Sequence, residues 1–125
     1  MSVESTVNSE ALKQRTKQLA LVVIRLCRAL PPSAEGRIIS RQLLRSATSV
    51  AANYRAVCRA KSTPDFVHKL RIVEEECDES LFWMEMLVDN KLVKASRLHE
   101  LMQEGDEILA IVVSSAKTAR SLRGA

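Results

Sequence analysis

The chain has 125 residues, of which 46% are apolar and 27% charged, and its formal net charge is +4. These values fit one globular domain with a single core, and we predict that residues 1–125 form it. Only three Gly and three Pro occur, and aromatic residues make up 3%, which favours long helices over a β-sheet.

Membrane insertion, secretion and disulfide bonding find no support in the sequence. The first residues lack a basic region before an apolar run, and the longest apolar run, residues 19–24, is far shorter than the ~20 residues of a membrane span. Cys27, Cys58 and Cys77 are widely spaced and form no metal-binding motif, so we interpret them as reduced core residues. We therefore expect a cytoplasmic protein without a membrane partner.

Breaks in the chain predict four helices. Pro31 and Pro32 end the first helix, and Ser33 is a favourable N-cap for the second. Thr63 and Pro64 mark the next start, and Ser96 marks the last one after a softer break. The predicted helices cover residues 8–30, 33–60, 64–89 and 96–121.

Apolar and small residues recur in each helix at intervals of three and four. This spacing is typical of helices that pack nearly parallel, and the short connections force neighbours to run antiparallel. The sequence therefore predicts an all-α, antiparallel up-and-down four-helix bundle. The predicted core positions are Leu12, Leu19, Val23, Leu26 and Leu30; Ile39, Leu43, Ala47, Val50, Tyr54 and Val57; Phe66, Leu70, Val73, Cys77, Ser80, Met84 and Leu87; and Leu98, Leu101, Gly105, Ile108, Val112, Ser115 and Ala119.

Charge is unevenly distributed. Residues 33–62 carry six basic groups and one carboxylate, whereas residues 63–90 carry eight acidic and two basic groups. The five arginines of the second predicted helix fall within an arc of about 80°, opposite the apolar positions. Planar guanidinium groups in a row suit phosphate oxygens. The candidate nucleic-acid-binding residues are Arg37, Arg41, Arg45, Arg55, Arg59 and Lys61.

Two other interpretations of these arginines remain open. In the first, the arginines pair with the Glu-rich third helix, within one bundle or between subunits. In the second, they form a solvated surface. Because aromatic residues are few, we expect any nucleic acid to be held by its backbone, without strong sequence preference and with steep salt dependence.

The third helix carries more apolar residues than one bundle core needs. A surplus of this kind, with Trp and Met, is typical of a self-association surface. Alternatively, Trp83 flanks the core and covers the junction with the fourth helix. The candidate interface residues are Ile72, Glu79, Phe82, Trp83 and Met86.

No pattern in the chain points to catalysis. The sequence has no Gly-rich phosphate loop, nucleophile elbow or Cys-His arrangement, and its two histidines, His68 and His99, lack the paired Glu-x-x-His motifs of a di-iron bundle. We predict no catalytic residue, no metal site and no cofactor, and therefore a protein that is not an enzyme.

Several short motifs occur along the chain: Leu30-Pro31, Gln-Leu-Leu-Arg-Ser-Ala at 42–47, Ser-Val-Ala-Ala-Asn at 49–53, Phe66 with Leu70, and Glu79. Their arrangement resembles a bacterial family of four-helix-bundle proteins encoded in intervening sequences of 23S ribosomal RNA genes. The accessory variability protein of diversity-generating retroelements is a related branch. The resemblance covers roughly residues 10–120.

The resemblance implies a bundle that can assemble into a barrel-like homopentamer, and it implies a basic surface. In the retroelement branch this surface meets nucleic acid and a reverse transcriptase. The family positions carried over are Arg45, Asn53 and Glu79, with the Arg and the Glu in structural or interfacial roles. This chain departs from the family pattern after Asn53, where Tyr54-Arg55 follows, and at Glu75-Glu76, where the family has Gly-Ser.

These observations predict a non-enzymatic, homo-oligomeric bundle that binds RNA or DNA through its basic face. The alternative function is a protein–protein scaffold whose acidic and basic helices pair between subunits or with a partner protein.

Overall fold

The computed structural model describes the backbone of residues 3–124 and the side chains of residues 9–121. The helices are α1 (Val3–Arg28), α2 (Ala34–Val57), α3 (Thr63–Asp89) and α4 (Ala95–Gly124). Each helix packs against the next, and α4 returns to α1, whereas the backbones of the diagonal pairs stay more than 8 Å apart, Cα to Cα, within these residues. This order confirms the predicted all-α four-helix bundle. Within residues 3–124, no helix combines the length and apolar character needed to cross a membrane.

The helix starts depend on local capping. Ser33 has extended backbone angles and its Oγ accepts a hydrogen bond from Gly36 N at 3.0 Å, as predicted for an N-cap. The cap of α3 is Ser62 rather than the predicted Thr63, because the Ser62 Oγ accepts from Asp65 N. Thr63 is instead the first helical residue. α4 begins at Ala95, so Ser96 lies inside the helix.

The end of α2 differs from the prediction in a way that affects the basic residues. We predicted a helix to residue 60, but α2 ends at Val57 and Cys58 forms its C-cap. Arg59 and Lys61 therefore lie in the α2–α3 connection. That connection is fixed by Asp65. Its carboxylate accepts a hydrogen bond from Lys61 N and forms an ion pair with Lys69 Nζ.

The predicted core positions of α2 are all buried, and those of the other helices are buried or half-buried. Val67 is buried beside the half-buried Phe66, and Ala116 is buried next to the half-buried Ser115. Thr16 is a buried polar residue that the apolar pattern did not predict. Its hydroxyl donates to Lys13 O at 3.0 Å, so burial leaves no unpaired donor.

Contacts between helices fix their relative heights. Cys27 Sγ lies 3.9 Å from Ser40 O between α1 and α2, and Ser80 Oγ donates to Ser46 Oγ at 3.0 Å between α2 and α3. Cys77 Sγ donates to Gly105 O at 3.4 Å between α3 and α4. Because the helices contact one another in cyclic order, the α1–α2 side faces away from the α3–α4 side, and the α2–α3 side faces away from the α4–α1 side.

Candidate nucleic-acid interface

Arg37, Arg41 and Arg55 form the exposed cationic row of α2. All three lie on the side of the helix opposite the buried Leu43 and Val50, as the periodicity predicts. None of them forms an ion pair with any side chain in residues 9–121. Three guanidinium groups are therefore presented to solvent along one helix.

Arg45 belongs to a different structure. Its Nη2 lies 2.5 Å from Glu79 Oε2, and its Nη1 lies 3.2 Å from Glu76 Oε2, so it connects α2 to α3. These carboxylates raise the pKa of Arg45, the Glu79 hydrogen bond contributing most. The geometry of Arg45 therefore fits the interpretation in which an arginine of α2 pairs with the Glu-rich α3 within one bundle. Arg45 is not part of the exposed cationic row.

Glu79 is held by two donors. Besides Arg45, Trp83 Nε1 donates to Glu79 Oε2 at 3.1 Å. Together, with Arg45 as the larger cause, these donors lower the pKa of the Glu79 carboxyl. Arg45 and Glu79, two of the three positions carried over from the resemblance, thus form one inter-helix pair.

Asn53, the third carried-over position, acts within α2. Its Nδ2 donates to Ser49 O at 2.9 Å and to Ser49 Oγ at 2.8 Å. Both of its observed bonds therefore stay inside one turn of the helix.

The predicted Arg59 and Lys61 continue the basic surface beyond the end of α2. Both are exposed in the connection, and neither forms a side-chain ion pair among the described residues. They are brought close to the Arg55 end of the row, but they are not in register with it, because the helix has already ended at Val57.

The structure adds α1 to this surface. Lys17 and Arg28 are exposed, and they lie eleven residues apart, three turns along one side of α1. This side borders α2, because the Sγ of neighbouring Cys27 meets Ser40 O. Lys13, one turn before Lys17, lies next to Cys58 but is paired with Glu10 at 3.5 Å. We call the surface formed by Lys17, Arg28, Arg37, Arg41 and Arg55 the cationic face.

Sequence reasoning missed the α1 residues for an identifiable reason. The basic groups of α1 are spread around the helix, and Arg15 faces α4, where it binds Glu104 at 2.6 Å. The signal that could have found them is the i, i+11 spacing of Lys17 and Arg28, read together with an assignment of which side faces α2.

The predicted interface residues all lie on α3. Ile72, Glu79, Trp83 and Met86 are half-buried, whereas Phe82 is 46% exposed. The Phe82 and Trp83 rings meet edge to face with centroids 4.8 Å apart. Trp83 packs against the core on the α2 side, through its bond to Glu79, and the residue that contacts α4 is Leu81. Trp83 therefore flanks the core, as the alternative interpretation has it, and the described contact with the fourth helix is that of Leu81.

Ile38 is part of this surface and was not predicted. It is 64% exposed, the most exposed of the large apolar side chains described. It lies two turns before Arg45 on the side of α2 that borders α3, and Met86 lies two turns after Glu79. We call Ile38, Phe82, Trp83 and Met86 the apolar patch. The sequence signal was the pair Ile38-Ile39, of which only the second position fits the core.

The histidines lie far apart. His68 follows the start of α3 and His99 follows the start of α4, and antiparallel packing puts these starts at opposite ends of the bundle. In the part of the chain that the structure describes, no three His, Cys, Asp or Glu side chains come close enough together to hold a metal ion.

A sequence model of one protein family matches residues 10–114, and that family is described as the 23S rRNA-intervening sequence protein family. This chain belongs to that family. The match spans most of the bundle and confirms the resemblance drawn from the motifs.

A solved structure agrees with this assignment to the 23S rRNA-intervening sequence proteins. It is the crystal structure of a protein of unknown function from the S23 ribosomal protein family of Bacteroides thetaiotaomicron. The two chains are 28% identical, the TM-score is 0.79, and the match covers 87% of this chain and 97% of the other. No curated protein matches this chain.

Proposed function

We propose that this member of the 23S rRNA-intervening sequence proteins is a non-enzymatic, homo-oligomeric bundle that binds RNA or DNA through the cationic face. The observation that carries the proposal is the exposed row of Arg37, Arg41 and Arg55, which no described carboxylate neutralises. Guanidinium groups at helical spacing meet the repeated phosphates of a nucleic-acid backbone, and their contacts release counterions.

The chemistry of this face favours backbone contact over base recognition. Tyr54, the one aromatic residue of α2, is buried in the core, and Phe82 and Trp83 lie on α3. Stacking on aromatic rings is the usual way to hold unpaired bases. Without such rings beside the arginines, we expect weak sequence preference and strong dependence on salt.

The homo-oligomeric part of the proposal is supported by the apolar patch. Ile38 and Phe82 remain 64% and 46% exposed on a single bundle, next to the half-buried Trp83 and Met86. Contiguous apolar side chains of this kind are typical of protein interfaces. Five subunits is the number that the family resemblance implies, and light scattering on the purified protein measures it.

Charge reversal tests nucleic-acid binding. We expect Arg37→Glu/Arg41→Glu to lower the affinity for a fluorescein-labelled RNA or DNA oligonucleotide by at least tenfold in anisotropy titrations at low salt. If two phosphate contacts are lost, the slope of log K against log salt falls by about 2.

The matched control is Arg71→Glu/Lys117→Glu, which changes the net charge equally on exposed positions of α3 and α4. It should retain most of the affinity. Equal losses in the two variants, or a wild type that does not bind at low salt, would overturn the proposed binding.

One observation supports the alternative function, a scaffold whose acidic and basic helices pair between subunits. Exposed carboxylates recur along α3, at Glu75, Asp78, Glu85 and Asp89. If α2 pairs with this row in another subunit, the Arg37→Glu/Arg41→Glu variant loses assembly mass in light scattering. If the cationic face serves nucleic acid, the same variant keeps its mass and loses only the ligand.

A further inference from the structure

A groove between α1 and α4 is the second surface that the bundle core leaves open. It encloses about 270 Å³ at the end of α1 and the start of α4. Both of its arginines are exposed, and neither forms an ion pair among the described side chains. The groove is lined by Val22, Arg25, Leu26, Ala29, Arg97, Leu98 and Leu101.

The groove and the apolar patch lie on opposite faces of the bundle at the same height. The helices contact one another in the cyclic order α1, α2, α3, α4, so the α4–α1 side faces away from the α2–α3 side. Ile38 is level with the end of α1, because Cys27 meets Ser40. Met86 is level with the start of α4, because Cys77 meets Gly105. Two bundles placed side by side in the same orientation therefore bring the patch of one against the groove of the other.

The charges around the two surfaces are complementary. Phe82 is the exposed apolar centre of a carboxylate row, with Asp78 one turn before it and Glu85 one turn after it. The groove instead carries Arg25 and Arg97. Contact between the α3 parts of two patches would place like charges together, whereas contact between this part of the patch and the groove places opposite charges together.

We propose that the apolar patch is covered by the α1–α4 groove of a second copy of this chain, so that subunits associate head to tail. This inference rests on the homo-oligomer proposed above and assigns its two contact surfaces. A contact between two different surfaces repeats from subunit to subunit, and it closes into a ring when each subunit is also rotated relative to its neighbour. It leaves the cationic face of every subunit outside the contact, where it stays accessible to nucleic acid.

A mixing experiment tests the inference. The patch variant is Ile38→Ser/Phe82→Ser and the groove variant is Arg25→Glu/Arg97→Glu, and each retains one intact surface. In light scattering we expect wild-type assemblies at several times the 13.9 kDa chain mass, and each variant alone near 13.9 kDa. An equimolar mixture should form a species of twice the chain mass, because one intact patch meets one intact groove.

The controls are Ile111→Ser, an exposed apolar position outside both surfaces, and Arg71→Glu/Lys117→Glu, and both should assemble as the wild type does. Circular dichroism and thermal unfolding establish that the variants are folded. If a double variant is not folded, Phe82→Ser and Arg97→Glu replace it.

Three results would overturn the inference. A groove variant that assembles normally, or a mixture that stays monomeric, rejects these surfaces while the proposed homo-oligomer stands. A wild type that is monomeric up to about 0.1 mM, a range that covers micromolar affinity, rejects both the two contact surfaces and the homo-oligomer. Nucleic-acid affinity is measured separately on the same samples, so that the proposed nucleic-acid binding is tested independently of assembly.

Discussion

At the scale of single residues, two neighbouring arginines of α2 have different roles. Arg41 and Arg45 are one helical turn apart, and both are among the predicted nucleic-acid-binding residues. Arg41 is exposed without an ion pair among the described side chains, whereas Arg45 bonds Glu76 and Glu79 of α3. Trp83 adds a second donor to Glu79. Arg45 is therefore best understood as a residue that holds α2 against α3.

The Glu79 carboxylate should make stability depend on acid pH. Its pKa in the folded state is lowered by Arg45 and Trp83, from an unfolded value of about 4.3. Its stabilising effect is therefore present above that value and is lost as the pH falls through the folded pKa. We expect Glu79→Gln to lower the urea midpoint at neutral pH, with the difference from wild type shrinking in acid.

The effect should be modest, because both partners are more than a third exposed and solvent screens the pair. Glu75→Gln, at an exposed position without an ion pair among the described residues, is the control. A destabilisation by Glu79→Gln that is the same at every pH would contradict this account.

At the scale of helices, a glycine allows a close approach between α3 and α4. A Cβ on Gly105 would lie 2.8 Å from Leu81 Cδ2, and Leu81 is itself buried. Ala favours a helix interior by about 1 kcal/mol over Gly, so the glycine is retained against helix propensity. The missing Cβ of Gly105 leaves space for the Leu81 side chain.

We expect Gly105→Ala to destabilise the bundle by about 1–3 kcal/mol through overpacking, despite the better propensity. In a Leu81→Ala background the same change should be neutral or stabilising, because the clash is gone. Urea unfolding of the four proteins of this double-mutant cycle gives the coupling. Additive effects would show that Leu81 is not the obstacle.

At the scale of the whole molecule, the two proposals together predict that affinity depends on the length of the nucleic-acid strand. An assembly presents one cationic face per subunit, so a long strand can engage several faces at once. We expect the patch variant Ile38→Ser/Phe82→Ser to match the wild type on an oligonucleotide that fits one subunit. It should bind a strand several times longer with at least tenfold lower affinity than the wild type does, as measured by anisotropy. Equal losses on short and long strands would instead mean that the patch itself contacts the ligand.

Much of the fold was predictable because it depends on local chemistry. Pro31 and Pro32 end a helix wherever they occur, and Ser33 caps the next because its Oγ reaches Gly36 N. Spacings of three and four predicted six buried positions of α2, from Ile39 to Val57, but not the buried Ser46, because its polar side chain is buried by pairing with Ser80. The ends of helices were less certain, because Ser62 and Thr63 are both good caps and only the folded chain selects between them.

The sequence by itself determined four amphipathic helices, their antiparallel order and the membership in one family, since periodicity, breaks and motifs are properties of the chain. The tertiary structure decided the surfaces. Periodicity gives the angle of a residue about its own helix axis, but not which helix lies beside that angle. Only packing shows that Arg45 borders α3 while Arg41 faces solvent, that Lys17 and Arg28 of α1 extend the cationic face, and that Ile38 joins Phe82 and Met86.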